Sequence, residues 1–187
     1  MPDFRSIYFL MKAMVSLISL KLNFSGNQVV FFLILLLIPL LVVQQSALAG
    51  ERFTDNGNGT ITDHQLGLMW ASTDNQGNIT WKQADKWVRF TFPYSLPIQY
   101  QNWRLPTLQE LQSLYVKDPD YRGYEAECGQ QLHIVPRIHM SCGFVWSGDQ
   151  EGISAYVFNF RRGTFYTDRK VHNKGYRALA VRNIAEK

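Results

Sequence analysis

The feature that most limits what this chain can fold into is a continuous apolar run from Val29 to Val43. It falls short of the roughly 20 residues that a membrane-spanning helix needs. Lys12 and Lys21 precede it, and no acid separates Asp3 from Glu51, so its leading end is positive. Ala47 and Ala49 follow in the small-x-small pattern that a signal peptidase requires. These features read as a secretory signal over residues 1–49, with cleavage after Ala49. An uncleaved membrane anchor is the alternative, and Met11 and Met14 are alternative starts. In either case residues 50–187 are expected outside the cytoplasm, and their length suits one domain with a single core. The sequence leaves the oligomeric state open.

All five tryptophans lie in that part, at positions 70, 81, 87, 103 and 146. Around them the pattern changes period. Arg52 to Trp70 reads as short strands, with Asn56-Gly57 and Asn58-Gly59 as tight turns and Leu68-Met69-Trp70 as a third strand. Two helix starts follow. Thr80 with Gln83, and Thr107 with Glu110, are capping boxes. Trp81, Ala84, Trp87 and Val88 recur at helical spacing, as do Leu108, Leu111, Leu114 and Tyr115. Residues 116–143 read as a long loop with few apolar residues of its own. The period of two returns at Phe144–Ser147, at Tyr156 to Phe160, after Gly163 at Thr164–Thr167, and at Arg177–Arg182. The order predicts an α+β domain in which strands from both ends can pair.

The two cysteines, Cys128 and Cys142, both lie in the long loop. In an oxidising compartment their separation points to a disulfide. Cys128, His133, His139 and Cys142 also form the residue set of a tetrahedral zinc site, but at no spacing typical of one. The expectation is therefore no metal and no cofactor. Ser147-Gly148-Asp149 lacks the glycine of a nucleophile elbow, and no pair of acids stands out for acid–base work. Asp55-Asn56-Gly57-Asn58-Gly59 has glycine where a calcium loop needs oxygen ligands, and reads as a turn. A non-enzymatic domain is expected.

Charge is uneven. Between Gly152 and Ala185 the only acid is Asp168, against Arg161, Arg162, Arg169, Lys170, Lys174, Arg177 and Arg182. Arg161 and Arg162 fall on a predicted turn and Arg169 and Lys170 in the next loop, where binding residues gather. Arginine grips sulfate, carboxylate or phosphate through two parallel hydrogen bonds. Arg161, Arg162, Arg169, Lys170, Lys174 and Arg177 are therefore the candidate surface for an anionic glycan or another surface polyanion. A soluble strand face within a structural or protein-interaction domain of the envelope is the competing reading. Nucleic acid is not an expected partner, and the membrane is expected only through an uncleaved N-terminal segment.

Trp103-Arg104-Leu105-Pro106-Thr107, followed by Glu110-Leu111, resembles the Lcl C-terminal domain family, found at the end of bacterial collagen-like adhesins and in many exported proteins. The similarity extends to Phe53–Gly57, Thr60–Asp63, Gly67–Trp70, Thr80-Trp81, Val145–Ser147, Gly163 and Ala180–Arg182. The Trp-Arg-Leu-Pro-Thr run is also similar to formylglycine-generating enzymes. The resemblance implies a C-type-lectin-like fold: two helices on a small mixed or antiparallel sheet, with the N- and C-terminal strands adjacent. For the adhesin it implies binding of sulfated polysaccharides. The copper-holding cysteine pair of the enzymes is missing, since Ala178 and Ala180 stand at that end. No collagen-like repeat precedes the domain, and the calcium-and-sugar motif of true C-type lectins is not found. The Trp103–Thr107 run itself is expected to be structural, with Trp103 buried and Thr107 capping a helix.

Overall fold

The computed structural model describes residues 51–184. The signal or anchor reading of residues 1–49 lies outside them. Glu51–Lys187 forms a compact unit by itself, and its core runs from Phe53 to Val181. No helix among the described residues is long and apolar enough to cross a membrane.

The first sheet forms as its turns dictate. Strand β1 (Phe53–Asp55) reverses through Asn56–Gly59 into β2 (Thr60–Asp63). Gly57 and Gly59 take φ of 69° and 83°, which favours glycine. Asp63 then accepts the backbone N–H of Gln65 at 3.0 Å and starts the turn into β3 (Leu68–Ala71), which is buried along its whole length. The last strand, β10 (Val181–Asn183), pairs antiparallel with β3. The order is β1-β2-β3-β10. The C-terminal strand therefore joins the N-terminal sheet, as expected, but β1 lies at the opposite edge.

Helix α1 (Trp81–Lys86) begins at the Thr80/Gln83 capping box. It continues as a π-helical turn (Trp87–Thr91) and a short α2 (Phe92–Ser95). The wider turn closes with the Phe92 N–H donating to the Trp87 carbonyl five residues back, just before Pro93, which has no N–H to continue the ladder. Ala84, Val88 and Phe92 face the core. Helix α3 (Leu108–Ser113) begins at the Thr107/Glu110 box and buries Leu111.

The long segment before Phe144 departs from expectation. It holds a two-stranded ladder, β4 (Tyr124–Glu125) with β5 (Gln131–Leu132). Leu132, Ile134, Ile138 and Met140 are fully buried, so it supplies core instead of lacking apolar residues. Each stretch docks on a different neighbour. Val116 N–H donates to the His133 carbonyl at 2.9 Å, and His139 N–H to the Ser72 carbonyl at 2.8 Å. Cys128 and Cys142 form a disulfide, with Cα atoms 5.5 Å apart. The bridge consumes both thiols of the zinc alternative, and His139 stacks on Tyr124 instead.

Strands β6 (Phe144–Glu151), β7 (Ser154–Asn159) and β8 (Thr164–Arg169) form an antiparallel meander. The strand expected at Phe144–Ser147 runs on past an irregularity between Trp146 and Gln150. The stretch Arg177–Arg182 is not one strand. Its start belongs to β9 (Tyr176–Arg177), parallel to β6, and its end to β10 in the other sheet. Ala178, Leu179 and Ala180 cross between the sheets, fully buried. The second sheet has the order β8-β7-β6-β9. The architecture is α+β.

Candidate anion-binding surface

The hairpin between β7 and β8 holds the first pair of candidate arginines. Phe160, fully buried, donates its N–H to the Gly143 carbonyl at 2.8 Å and accepts from His133 N–H at 2.9 Å. Asn159 closes the turn. Its side-chain oxygen accepts the Arg161 N–H at 2.9 Å, and its carbonyl accepts the N–H groups of Arg162 and Gly163. Gly163 has φ of 67°, and a Cβ there would lie 2.6 Å from the Tyr115 ring. Only glycine fits, so the turn is pinned on both sides. Arg161 and Arg162 stand exposed on it, and neither guanidinium has a partner among the described residues.

The other candidates are placed differently. Arg169 ends β8, with Lys170 and Lys174 just beyond. They lie at the opposite end of β8 from the arginine turn, roughly 17 Å away along the strand. Arg169 is exposed. Lys170 Nζ donates to Gln150 Oε1 at 2.6 Å and to the Gly152 carbonyl at 2.7 Å, and lies 5.2 Å from the Trp81 ring centre. Lys174 Nζ is 3.5 Å from Asp168. The six residues are not gathered at one end of the sheet.

Arg177 requires a correction. It is buried, and its Nε and Nη1 donate to Ser141 Oγ at 2.6 Å and Asn78 Oδ1 at 2.7 Å. Its Nε lies 3.7 Å from Asp74, which also accepts the Ser141 N–H. Burial pushes the Asp74 carboxyl above its usual range, against the hydrogen bonds from Gln76 and Ser141 and the Arg177 charge. This guanidinium ties the 141 region to the C-terminal strands and cannot meet a ligand at the surface.

Asp168 organises the far end of the hairpin. It accepts the Tyr176 hydroxyl, and His172 Nδ1 lies 2.7 Å from its other oxygen. Burial would raise its pKa, but the bonds from Tyr176 and His172 outweigh it and hold the carboxyl well below the usual carboxylate range. Burial, reinforced by Asp168, pushes the Tyr176 hydroxyl far up. This tie was missed in the sequence. Its one signal was Asp168 as the only acid in that stretch.

A cleft of about 260 Å³ opens between α1, Arg104–Thr107 and Gly148–Gln150. Two of its acids are engaged in structural bonds. Asp85 pairs with Arg89 at 2.8 Å, and Asp149 accepts the Leu108 N–H at 2.7 Å.

The Trp103–Thr107 run sits inside the structure. Trp103 is 2% exposed, Leu105 and Pro106 are buried, and Thr107 caps α3. Arg104 pairs with Glu110, and its backbone bridges to Val181. The run joins α3 to the C-terminal strand.

No curated protein matches the chain. The family model of the Lcl C-terminal domain matches residues 59–182. That span contains both capping boxes, the disulfide, the arginine turn and all but the last residue of the pairing of β3 with the C-terminal strand. The chain belongs to the Lcl C-terminal domain family.

Proposed function

We propose that residues 50–187 act outside the cytoplasm as a non-enzymatic binding module for an anionic polysaccharide, sulfated or acidic, or another surface polyanion. The observation that carries this reading is the Arg161–Arg162 turn: two adjacent, exposed, unpartnered guanidinium groups on a pinned backbone. A guanidinium binds sulfate or carboxylate through two parallel hydrogen bonds. A rigid turn lowers the ordering cost of holding two of them side by side. Arg169 extends the basic character along β8, while Lys170 and Lys174 contribute charge but are already tied.

Family membership and the Cys128–Cys142 bridge support an exported setting, because disulfides persist in oxidising compartments. The engagement of Asp85 and Asp149 supports binding over acid–base chemistry. The return of β10 to the N-terminal sheet supports a C-type-lectin-like variant as the finer fold.

The test uses heparin as the probe and residues 50–187 as the protein. Binding is expected at low salt and should weaken as salt screens the exposed charges, over about 8 Å at physiological ionic strength. R161E/R162E should weaken it at least about ten-fold, each lost charge-assisted bond being worth roughly 1.5 kcal/mol or more. R169E reports whether the surface extends along β8. Binding indifferent to both salt and R161E/R162E would remove the polyanion reading.

One observation favours a protein partner instead. Strand β8 is a sheet edge on which every residue except Asp168 is exposed, Phe165 and Tyr166 among them. An open edge accepts an added strand. A salt-insensitive protein partner displaced by a proline at Thr167 would favour this second reading.

A further inference from the structure

The helical segment from Trp81 to Ser95 covers the core with Ala84, Val88 and Phe92 and turns its other face to solvent. On that outer face Lys82, Lys86, Phe90 and Tyr94 follow one another at intervals of four residues, all exposed. Four residues of α-helix overshoot a full turn by about 40°. The wider π turn at Trp87–Thr91 undershoots it. Placed in the middle of the segment, it brings the row back into line.

The row has two chemical halves. Lys82 and Lys86 have no ion-pair partner among the described residues, whereas Arg89 is paired with Asp85. Beyond them Phe90 is 62% exposed, Tyr94 72% and Ile98 52%. Trp87, half-buried against Phe92 with ring centres 5.3 Å apart, borders the same face. Scattered exposed apolar residues need no explanation. Phe90 and Tyr94, following two unpaired lysines along one helical face, form a patch with a chemical direction.

We infer that this face docks on an anionic lipid surface, with Lys82 and Lys86 at the headgroup phosphates and Phe90 and Tyr94 at the acyl boundary. Charge complementarity selects the occupant. Lysines near an anionic leaflet attract it electrostatically. Phenylalanine gains from leaving water, which a hydrated anionic glycan does not offer. Tyrosine and tryptophan suit the boundary, with one end apolar and the other wet. The inference is independent of the glycan reading, which uses Arg161 and Arg162 on the β7–β8 turn.

The test uses residues 50–187, which contain the core of the described residues and the disulfide, and each variant is first shown to melt like the parent. Vesicles of phosphatidylglycerol should carry the protein in a flotation assay at low salt, and vesicles of phosphatidylcholine should not. K82Q/K86Q should weaken binding about 30-fold, from roughly fivefold per lysine at such a surface. F90A/Y94A should release the protein from phosphatidylglycerol while leaving heparin binding unchanged, and R161E/R162E should weaken vesicle binding less than K82Q/K86Q does. Three outcomes overturn the inference. F90A/Y94A could bind like the parent. R161E/R162E could abolish vesicle binding, which would assign the attraction to the arginine turn. Sedimentation could show that the parent self-associates through Phe90 and Tyr94, which would assign the face to a second copy of the chain.

Discussion

Arg104 and Glu110 meet in a two-pronged ion pair, Nη1 to Oε2 and Nη2 to Oε1, both at 2.7 Å. The same Glu110 accepts the Thr107 N–H at 2.7 Å, so one carboxylate closes the capping box and holds the arginine. Arg104 reaches on to Asn183 Oδ1 at 3.2 Å. Helix α3 and the C-terminal strand are thereby fastened through one side chain. Arg104→Ala should destabilise the domain by about 2 kcal/mol, because it leaves a half-buried carboxylate short of donors. Arg104→Lys should restore only part of this, since an ammonium cannot make the fork. Urea unfolding of the two variants checks both statements.

The same pair makes stability depend on pH. Burial would raise the Glu110 pKa, but hydrogen bonds from Arg104 and Thr107 outweigh it and hold the carboxyl below its usual range. A depressed carboxyl contributes stability above the unfolded pKa of about 4.3, and loses it as pH falls through the folded value. The stability gap between the parent and Glu110→Gln should therefore be largest near neutrality and shrink in acid. A gap that is constant from pH 7 to pH 3 would remove the assigned ionisation.

Two buried tryptophans differ in one bond. Trp146 Nε1 donates to the Ile79 carbonyl at 2.9 Å, whereas Trp103 Nε1 has no partner. Trp103→Ala should cost about 3–5 kcal/mol through its cavity. Trp103→Phe and Trp146→Phe lose similar volume, but only the second strands a buried carbonyl. The Trp146 variant should be the less stable by about 1–3 kcal/mol, as read by thermal and chemical unfolding.

The disulfide joins an exposed Cys128 to a buried Cys142. A bridge closing a loop of about 15 residues contributes about 3 kcal/mol by chain entropy. Cys128→Ser with Cys142→Ala should lose about that much. The loop should nevertheless stay folded, because Leu132, Ile134, Ile138 and Met140 bury it independently. Amide exchange on the reduced protein checks this, and loss of protection throughout residues 129–141 would make the bridge the loop's main restraint.

Local features were legible because their partners lie a few residues apart. Both capping boxes, the Asn-Gly turns, the apolar stripe of α3 and the burial of Trp103 follow from short-range spacing. The Arg161–Arg162 turn was legible for the same reason, since Gly163 marks it. The π turn was not. The stripe Trp81, Ala84, Trp87 and Val88 reads as ordinary helix, and the change of pitch appears only with the hydrogen bond from Phe92 to Trp87.

The sequence by itself determined the α+β class, the starts of the helices, the bridge partners and which segment is basic, because periodicity, caps and charge are properties of neighbouring residues. Tertiary structure alone decided which cations are free. Arg177 reads like Arg161 in the chain, yet one is buried against Ser141, Asn78 and Asp74 and the other stands in solvent. It also decided that residues 116–143 supply core and that the last strands divide between two sheets. These outcomes depend on contacts between residues far apart in sequence, whose burial is set by what the rest of the chain places against them.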